Sequence, residues 1–286
     1  MIVQNKQEIE VKIMSYQYII YEVKDHICRI TMNRPEKLNA IHLPMKREME
    51  DALERAKTDE DVRVVIIKGA GRAFSTGLDL DFRAQWSLEN DPSEWREQWK
   101  GWDQWVWNNK KPVIAQVHGY VLAGGVSLAD SCDITIAAEG TLFGRPQVRQ
   151  GHTPPSAWPW LMGPKKAKEL LFTGNMIDAE EAFRWGLVNK VVPLEKLEEE
   201  VNRLAQDISN VPPAAVTANK RNVNKAWEQI GRLREFFRPD EETRKILEGL
   251  EEQGFLAQVR ERGLKTALEE RDSRFQKTAG FVEDEG

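Results

Sequence analysis

The 286-residue chain predicts an α/β fold, and three features of the sequence carry that prediction. Apolar, β-branched runs of strand length stand at Val62–Ile67, Val113–Val117 and Asp133–Ala138. Segments of helical period precede or follow them, and strands alternating with helices imply α/β layers. Beyond about residue 160 the only further strand-like stretch is Leu187–Val192, and residues 194–276 read as successive helices.

Taken in order, residues 1–14 alternate charge with aliphatics and read as a flexible leader, with Met14 a candidate start. Tyr16–Val23 is dense in β-formers, and Cys28, Ile30 and Met32 alternate with Arg29 and Thr31, so the pair predicts a hairpin around Lys24-Asp25-His26. A turn-rich loop, Asn33–Ala40, leads to a helix over Leu43–Lys57 in which Met45, Met49 and Leu53 share a face. Six of the ten tryptophans fall between Trp86 and Trp107. There Asp91-Pro92-Ser93-Glu94 has the form of an N-cap, a first-turn proline and a capping box. Trp95, Trp99, Trp102 and Val106 then recur on one helical face. That stripe packs on the core or a neighbouring subunit, or else forms an aromatic wall around a bulky substrate group. The domain reading is a core over 15–195, a helical region over 196–276, and a polar, acidic tail over 277–286 expected to be disordered.

Composition excludes several classes. The 41 basic and 46 acidic residues are interspersed, for a net charge of −5, and no basic stripe suits nucleic acid. Cys28 and Cys132 sit in strand-like segments without metal spacing, as small core residues of a reducing compartment do. No window approaches the roughly 20 apolar residues of a membrane span. A cytoplasmic protein with no metal site and no permanently bound cofactor is expected. Nothing resembles a phosphate-binding P-loop.

Two glycine turns carry the chemistry. Ala73-Phe74-Ser75-Thr76-Gly77-Leu78-Asp79-Leu80 follows the Val62–Ile67 strand, and His118-Gly119-Tyr120 with Ala123-Gly124-Gly125 follows Val113–Val117. A chain that enters a helix through such a turn leaves its first N–H groups unpaired, at the end where the helix dipole favours negative charge. Two turns facing each other can bind one oxygen as it becomes an oxyanion.

With their surroundings, these turns resemble the crotonase family of enoyl-CoA hydratases and isomerases. The resemblance rests on Arg34-Pro35-Glu36-Lys37-Leu38-Asn39-Ala40, Phe74–Leu80, Pro112–Tyr120 with Ala123-Gly124-Gly125, and Cys132-Asp133-Ile134. It continues through Phe143-Gly144-Arg145-Pro146 and Leu171-Phe172-Thr173-Gly174, to Val188–Pro193. It implies a spiral of ββα turns with a helical C-terminal region that mediates trimers, often paired into hexamers. It implies an oxyanion hole made by the N–H groups of Leu78 and Gly124. Lys37, Leu38 and Ala40 match the loop along the CoA moiety of the substrate, and Ser75, Thr76 and Gly77 match the backbone edge beside it. Asp79, Tyr120, Leu122 and Gly125 complete the set expected there.

The sequence departs from the family at the opposite wall. Hydratases of this family place glutamates where Ser127 and Gln147 stand, and neither replacement ionises near neutral pH. Losing one acid/base group typically costs about two to four orders of magnitude in rate, so ordinary crotonyl-CoA hydration is doubtful. The aspartate that some relatives use further downstream falls at about Pro155. His152 remains a candidate for proton transfer or a hydrogen-bonded loop histidine. Arg145 and Arg149 are candidates for a substrate carboxylate or for surface salt bridges. Asp79, at a helix start, more readily stabilises its turn. The reading is an acyl-CoA enzyme, with a catalytically silent acyl-CoA-binding subunit as the alternative.

Overall fold

The computed structural model describes residues 12–99, 102–152, 156–231, 254–273 and 275. Residues 1–11 of the expected leader, Thr153–Pro155 and the tail over 277–286 lie outside that set.

The chain opens with strands β1 (Lys12–Ser15), β2 (Ile19–Lys24) and β3 (Ile27–Met32), paired antiparallel in that order. Asp25 and His26 take positive φ, 52° and 65°, which closes the hairpin in two residues. β1 includes Lys12–Met14, which the sequence assigns to the leader. A hairpin edge offers its unpaired N–H and C=O groups to an adjacent extended segment, so modest local patterning suffices there.

A 3-10 turn (Pro35–Lys37) leads to helix α1 (Leu43–Thr58), whose Met45, Met49, Ala52 and Leu53 are buried. Strand β4 (Val64–Gly69) follows, then α2 (Leu80–Glu89), α3 (Pro92–Gln98) and α4 (Trp102–Trp107). The tryptophan stripe therefore spans two helices, not the one its spacing suggests. Next come β5 (Val113–Val117), β6 (Tyr120–Leu122), α5 (Gly124–Ser131), β7 (Ile134–Ala138) and β8 (Leu142–Gly144). A second 3-10 turn (Pro146–Gln150) precedes α6 (Trp158–Leu161), α7 (Pro164–Thr173), β9 (Met176–Asp178), α8 (Ala179–Arg184) and β10 (Lys190–Val192). The described chain ends in helices α9 (Leu194–Asn210), α10 (Pro213–Gly231), α11 (Phe255–Arg262) and α12 (Leu264–Asp272).

The larger sheet has the order β1-β2-β3-β4-β5-β7-β10, parallel from β3 onward. A smaller sheet, β6-β8-β9, lies beyond the ends of β5 and β7. Both faces of the parallel sheet are covered, so its strands read as continuous apolar runs. Val65 and Ile67 belong to the core with Met45, Met49 and Leu53, whereas Val64 and Ile66 meet Leu197, Val201 and Ala205 of α9. α11 and α12 pack on α2 through Val259, Ala267 and Ala84.

Candidate active site

The site forms where the C-terminal ends of β4 and β5 run into glycine turns. Ser75 joins the two turns. Its N–H donates to Tyr120 O at 3.1 Å, its carbonyl accepts from Leu122 N at 3.0 Å, and its hydroxyl donates to Asn39 O at 2.8 Å. The same hydroxyl accepts from Gly77 N at 3.1 Å. Ser75 is fully buried, so it holds the loop rather than facing a ligand, unlike the role expected of it from the sequence. Asn39 supports it from behind. Asn39 is buried at φ 54°, and its amide donates to Ala70 O and Ala73 O, both at 2.8 Å, while Oδ1 accepts from Arg34 N. Thr76 N–H donates to Leu38 O, and Ile41 N–H to Gly77 O, which docks the 37–41 loop against the first turn.

The amides of Leu78 and Gly124 border one space. A methyl group at Gly124 would stand 3.6 Å from Leu78 N, and one at Gly77 only 2.6 Å from Gly124 N. Gly77 also has φ +93°, so both its backbone and its neighbours require glycine. Neither the Leu78 nor the Gly124 N–H donates a hydrogen bond among the described residues. Gly124 is the first residue of α5, and Ala123 before it holds a left-handed φ of 51°. That strained conformation costs about 1–3 kcal/mol. It is fixed by Ala123 N–H donating to Gly144 O at 2.9 Å, and it turns Gly124 N outward. Gly125 is a packing glycine, since a methyl group there would lie 2.4 Å from Ser75 O. Tyr120 and Leu122 lie on β6 and reach the turn through their backbone.

Ser127 lies one helical turn beyond Gly124. Its Oγ accepts from Arg145 Nη1 at 3.2 Å, and Arg145 Nη2 donates to Asp130 Oδ2 at 3.0 Å. Arg145 is 1% exposed, and its guanidinium stacks 5.1 Å from the Trp158 ring centroid. Burial pushes the Asp130 carboxyl up, with the Arg145 charge and hydrogen bond pulling it back. Gln147 sits in the second 3-10 turn, and its Oε1 is enclosed with no hydrogen-bond partner among the described residues. A buried acceptor left unpaired costs about 1–3 kcal/mol, so this oxygen suits a donor supplied by water or ligand. His152 is half-buried, and its N–H donates to Gln147 O at 3.1 Å.

Other candidates are occupied with structure. Asp79 caps α2, taking Phe82 N–H on Oδ1 at 3.0 Å and Arg34 on Oδ2 at 2.9 Å. Lys37 pairs with Asp81 at 3.1 Å in solvent, Leu38 closes the first 3-10 turn in the left-handed region, and Ala40 O accepts from Arg34. Arg145 and Arg149 are buried, not surface, ion pairs. Arg149 ties Asp272, Thr173 O and Asn175 together. Trp95 is buried between Phe82, Trp86 and Trp99. Sequence reasoning passed over Asp130 and His42. Asp130 could have been found from its place three residues after Ser127, on the same helical face. His42 caps α1 through Nδ1, and burial together with the Arg34 charge lowers its pKa. Among the described residues there is no cluster of three or more His, Cys, Asp or Glu able to hold a metal, and no helix is long and apolar enough to cross a membrane.

A doubly covered parallel sheet whose strand ends bring two unpaired amides to one space is an arrangement able to hold a developing oxyanion. The chain belongs to the enoyl-CoA hydratase/isomerase (crotonase) family, whose sequence profile matches residues 22–277. It is similar to the crotonyl-CoA hydratase of Syntrophomonas wolfei, at 37% identity over 224 residues, covering 75% of this chain and 84% of that one. Its fold is similar to the crystal structure of an enoyl-CoA hydratase/isomerase from Xanthobacter autotrophicus Py2. There the TM-score is 0.82 at 35% identity, over 92% of this chain and all of that one. An enoyl-CoA hydratase structure from Mycobacterium smegmatis matches with TM-score 0.80 at 28% identity, over 92% and 96% of the two chains.

Proposed function

We propose that this chain binds an acyl-CoA thioester, places its carbonyl oxygen between the Leu78 and Gly124 amides, and stabilises the enolate or oxyanion that forms there. The unpartnered pair of amides bordering one space carries this reading. The relative named a crotonyl-CoA hydratase supports the thioester class of the substrate. The CoA moiety lies along Lys37, Leu38 and Ala40 and the Thr76–Gly77 edge. Coenzyme A enters as part of the substrate, and no cofactor stays bound. The working form is a cytoplasmic homotrimer or homohexamer.

The opposite wall argues against ordinary hydration. Adding water to an enoyl thioester needs a group that takes a proton from the water, and Ser127 and Gln147 cannot do so as carboxylates can. Removing one oxyanion donor elsewhere costs about 10²–10³ in turnover, so the amide pair alone still supports thioester chemistry of another kind. Mass-spectrometric turnover of crotonyl-, longer 2-enoyl-, 3-enoyl-, cyclic, aromatic and dicarboxylic CoA esters tests the reading. Turnover of any member, with crotonyl-CoA slow, is expected. Crotonyl-CoA hydration at ordinary enzyme rates would overturn the claim about the wall. Binding without any turnover would make the chain a silent acyl-CoA-binding subunit.

A further inference from the structure

The end of the large sheet opposite the glycine turns holds a cavity of about 130 Å³. Four cations line it: Lys57 from the last turn of α1, Arg63 just before β4, and Lys110 and Lys111 just before β5. Ile208 of α9 and Val216 of α10 form its apolar side. Among the described residues no carboxylate lines it, although the chain as a whole carries a net charge of −5. The five residues of β5 separate this end from the glycine turn after Val117 by about 16 Å.

The cations are anchored by neutral groups rather than by acids. Arg63 Nη1 donates to Ser209 O at 2.9 Å, at the end of α9, which fixes one corner of the guanidinium and leaves its other N–H groups to a ligand. Lys111 Nζ donates to Asp59 O at 3.3 Å. Thr217 Oγ1 donates to Lys110 O at 3.2 Å and ties the Lys110–Pro112 loop to α10. Of the four, Lys57 alone pairs with a carboxylate among the described residues, Glu54 at 2.8 Å. Burial lowers the Lys111 pKa and the Lys110 charge adds to it, against the pull of Asp59 and Glu60. The fold thus holds together positive charges whose mutual repulsion an anion would relieve. A terminal phosphate brings nearly two negative charges and three acceptor oxygens in one compact group. Ammonium and guanidinium donors form charge-assisted hydrogen bonds with such oxygens. The apolar side adds a surface for carbon attached to the phosphate.

We propose that this cavity binds a phosphate monoester, apart from the acyl-CoA site, with Arg63, Lys110 and Lys111 on the phosphate and Ile208 and Val216 against its carbon part. The probes are inorganic phosphate and phenyl phosphate, titrated calorimetrically into the full chain in chloride buffer at fixed ionic strength. Saturable one-to-one binding is expected, tighter for phenyl phosphate. Arg63→Gln should weaken both probes about tenfold or more, the size of one charge-assisted hydrogen bond, and so should Lys110→Gln with Lys111→Gln. The lysine pair leaves the Ser209 bond in place, so its melting temperature without phosphate should match wild type. Val216→Ser should weaken phenyl phosphate alone. Lys165→Gln with Lys168→Gln, the same change of charge on exposed positions of α7, should alter neither affinity. Absence of saturable binding, or equal weakening by the α7 pair, would overturn the site. Equal affinity for the two probes would overturn the ester and leave a free-phosphate site. Displacement of phenyl phosphate by coenzyme A would overturn the separation from the acyl-CoA site, and persistence under saturating coenzyme A would uphold it.

Discussion

A carboxylate would meet different surroundings at positions 127 and 147. Gln147 Oε1 is enclosed without a partner among the described residues, so a glutamate there would be desolvated and its pKa raised, as a general base requires. At position 127 a glutamate would lie beside Arg145 Nη1 and would be held ionised and weakly basic. Gln147→Glu is therefore expected to raise crotonyl-CoA hydration by about 10²-fold or more, and Ser127→Glu by much less. Initial rates followed by loss of the conjugated enoyl absorbance distinguish them, and equal gains would show that the Arg145 charge does not govern position 127. At this scale the two glycine turns stand out in the sequence only as an ordered pair with their surroundings, because a single glycine turn before a helix is common and usually structural. The replacement of two glutamates at positions 127 and 147 is what the family resemblance implies. The sequence did not reveal Ser75 or Asn39 as the joint between the turns. Their work is done by hydrogen bonds across 34 to 36 residues, which no local pattern encodes.

Elements far apart in sequence are tied together by buried charge. Arg149, in the second 3-10 turn, donates to Asp272 at the end of α12 across 123 residues, and Arg271 donates to the same carboxylate from the same helix. Burial pushes Asp272 up, but the hydrogen bonds and charges of Arg271 and Arg149 outweigh it and leave its pKa below the ordinary carboxylate value. A carboxyl whose pKa is lower in the folded state than in the unfolded one contributes stability above the unfolded value, and loses it as pH falls through the folded one. Asp272→Asn should therefore cost stability at neutral pH, with parent and variant converging as the solution is acidified through the carboxylate range. Urea unfolding across that range measures it, and a difference independent of pH would exclude the ionic role. This tie was invisible to periodicity, which placed the helices of the last third without saying what they touch. Periodicity also fused α3 and α4, because the i, i+4, i+7 spacing of Trp95, Trp99 and Trp102 persists in the sequence from one helix to the next.

Across the whole molecule the two faces of the parallel sheet have different duties. The α9 face, with Ala205 against Ile66 and Ile114, stabilises the sheet at a distance from the glycine turns. On the other side α2 starts at Leu80, directly after Leu78 and its cap Asp79, and its Ala84 is clamped by Val259 and Ala267 of the C-terminal helices. A displacement of α2 is therefore expected to reach the Leu78 amide, and a displacement of α9 to leave it in place. Ala84→Leu and Ala205→Leu each overpack a fully enclosed alanine site, at a cost of about 1–3 kcal/mol. Both should lower the melting temperature by similar amounts. Only Ala84→Leu should also lower kcat on whichever thioester the wild type turns over, because the oxyanion donors must sit within a few tenths of an ångström of the developing charge. Calorimetric melting paired with steady-state kinetics gives the comparison. Equal kinetic losses in the two variants would mean that the oxyanion site responds to global stability rather than to the packing of α2 beneath the C-terminal helices.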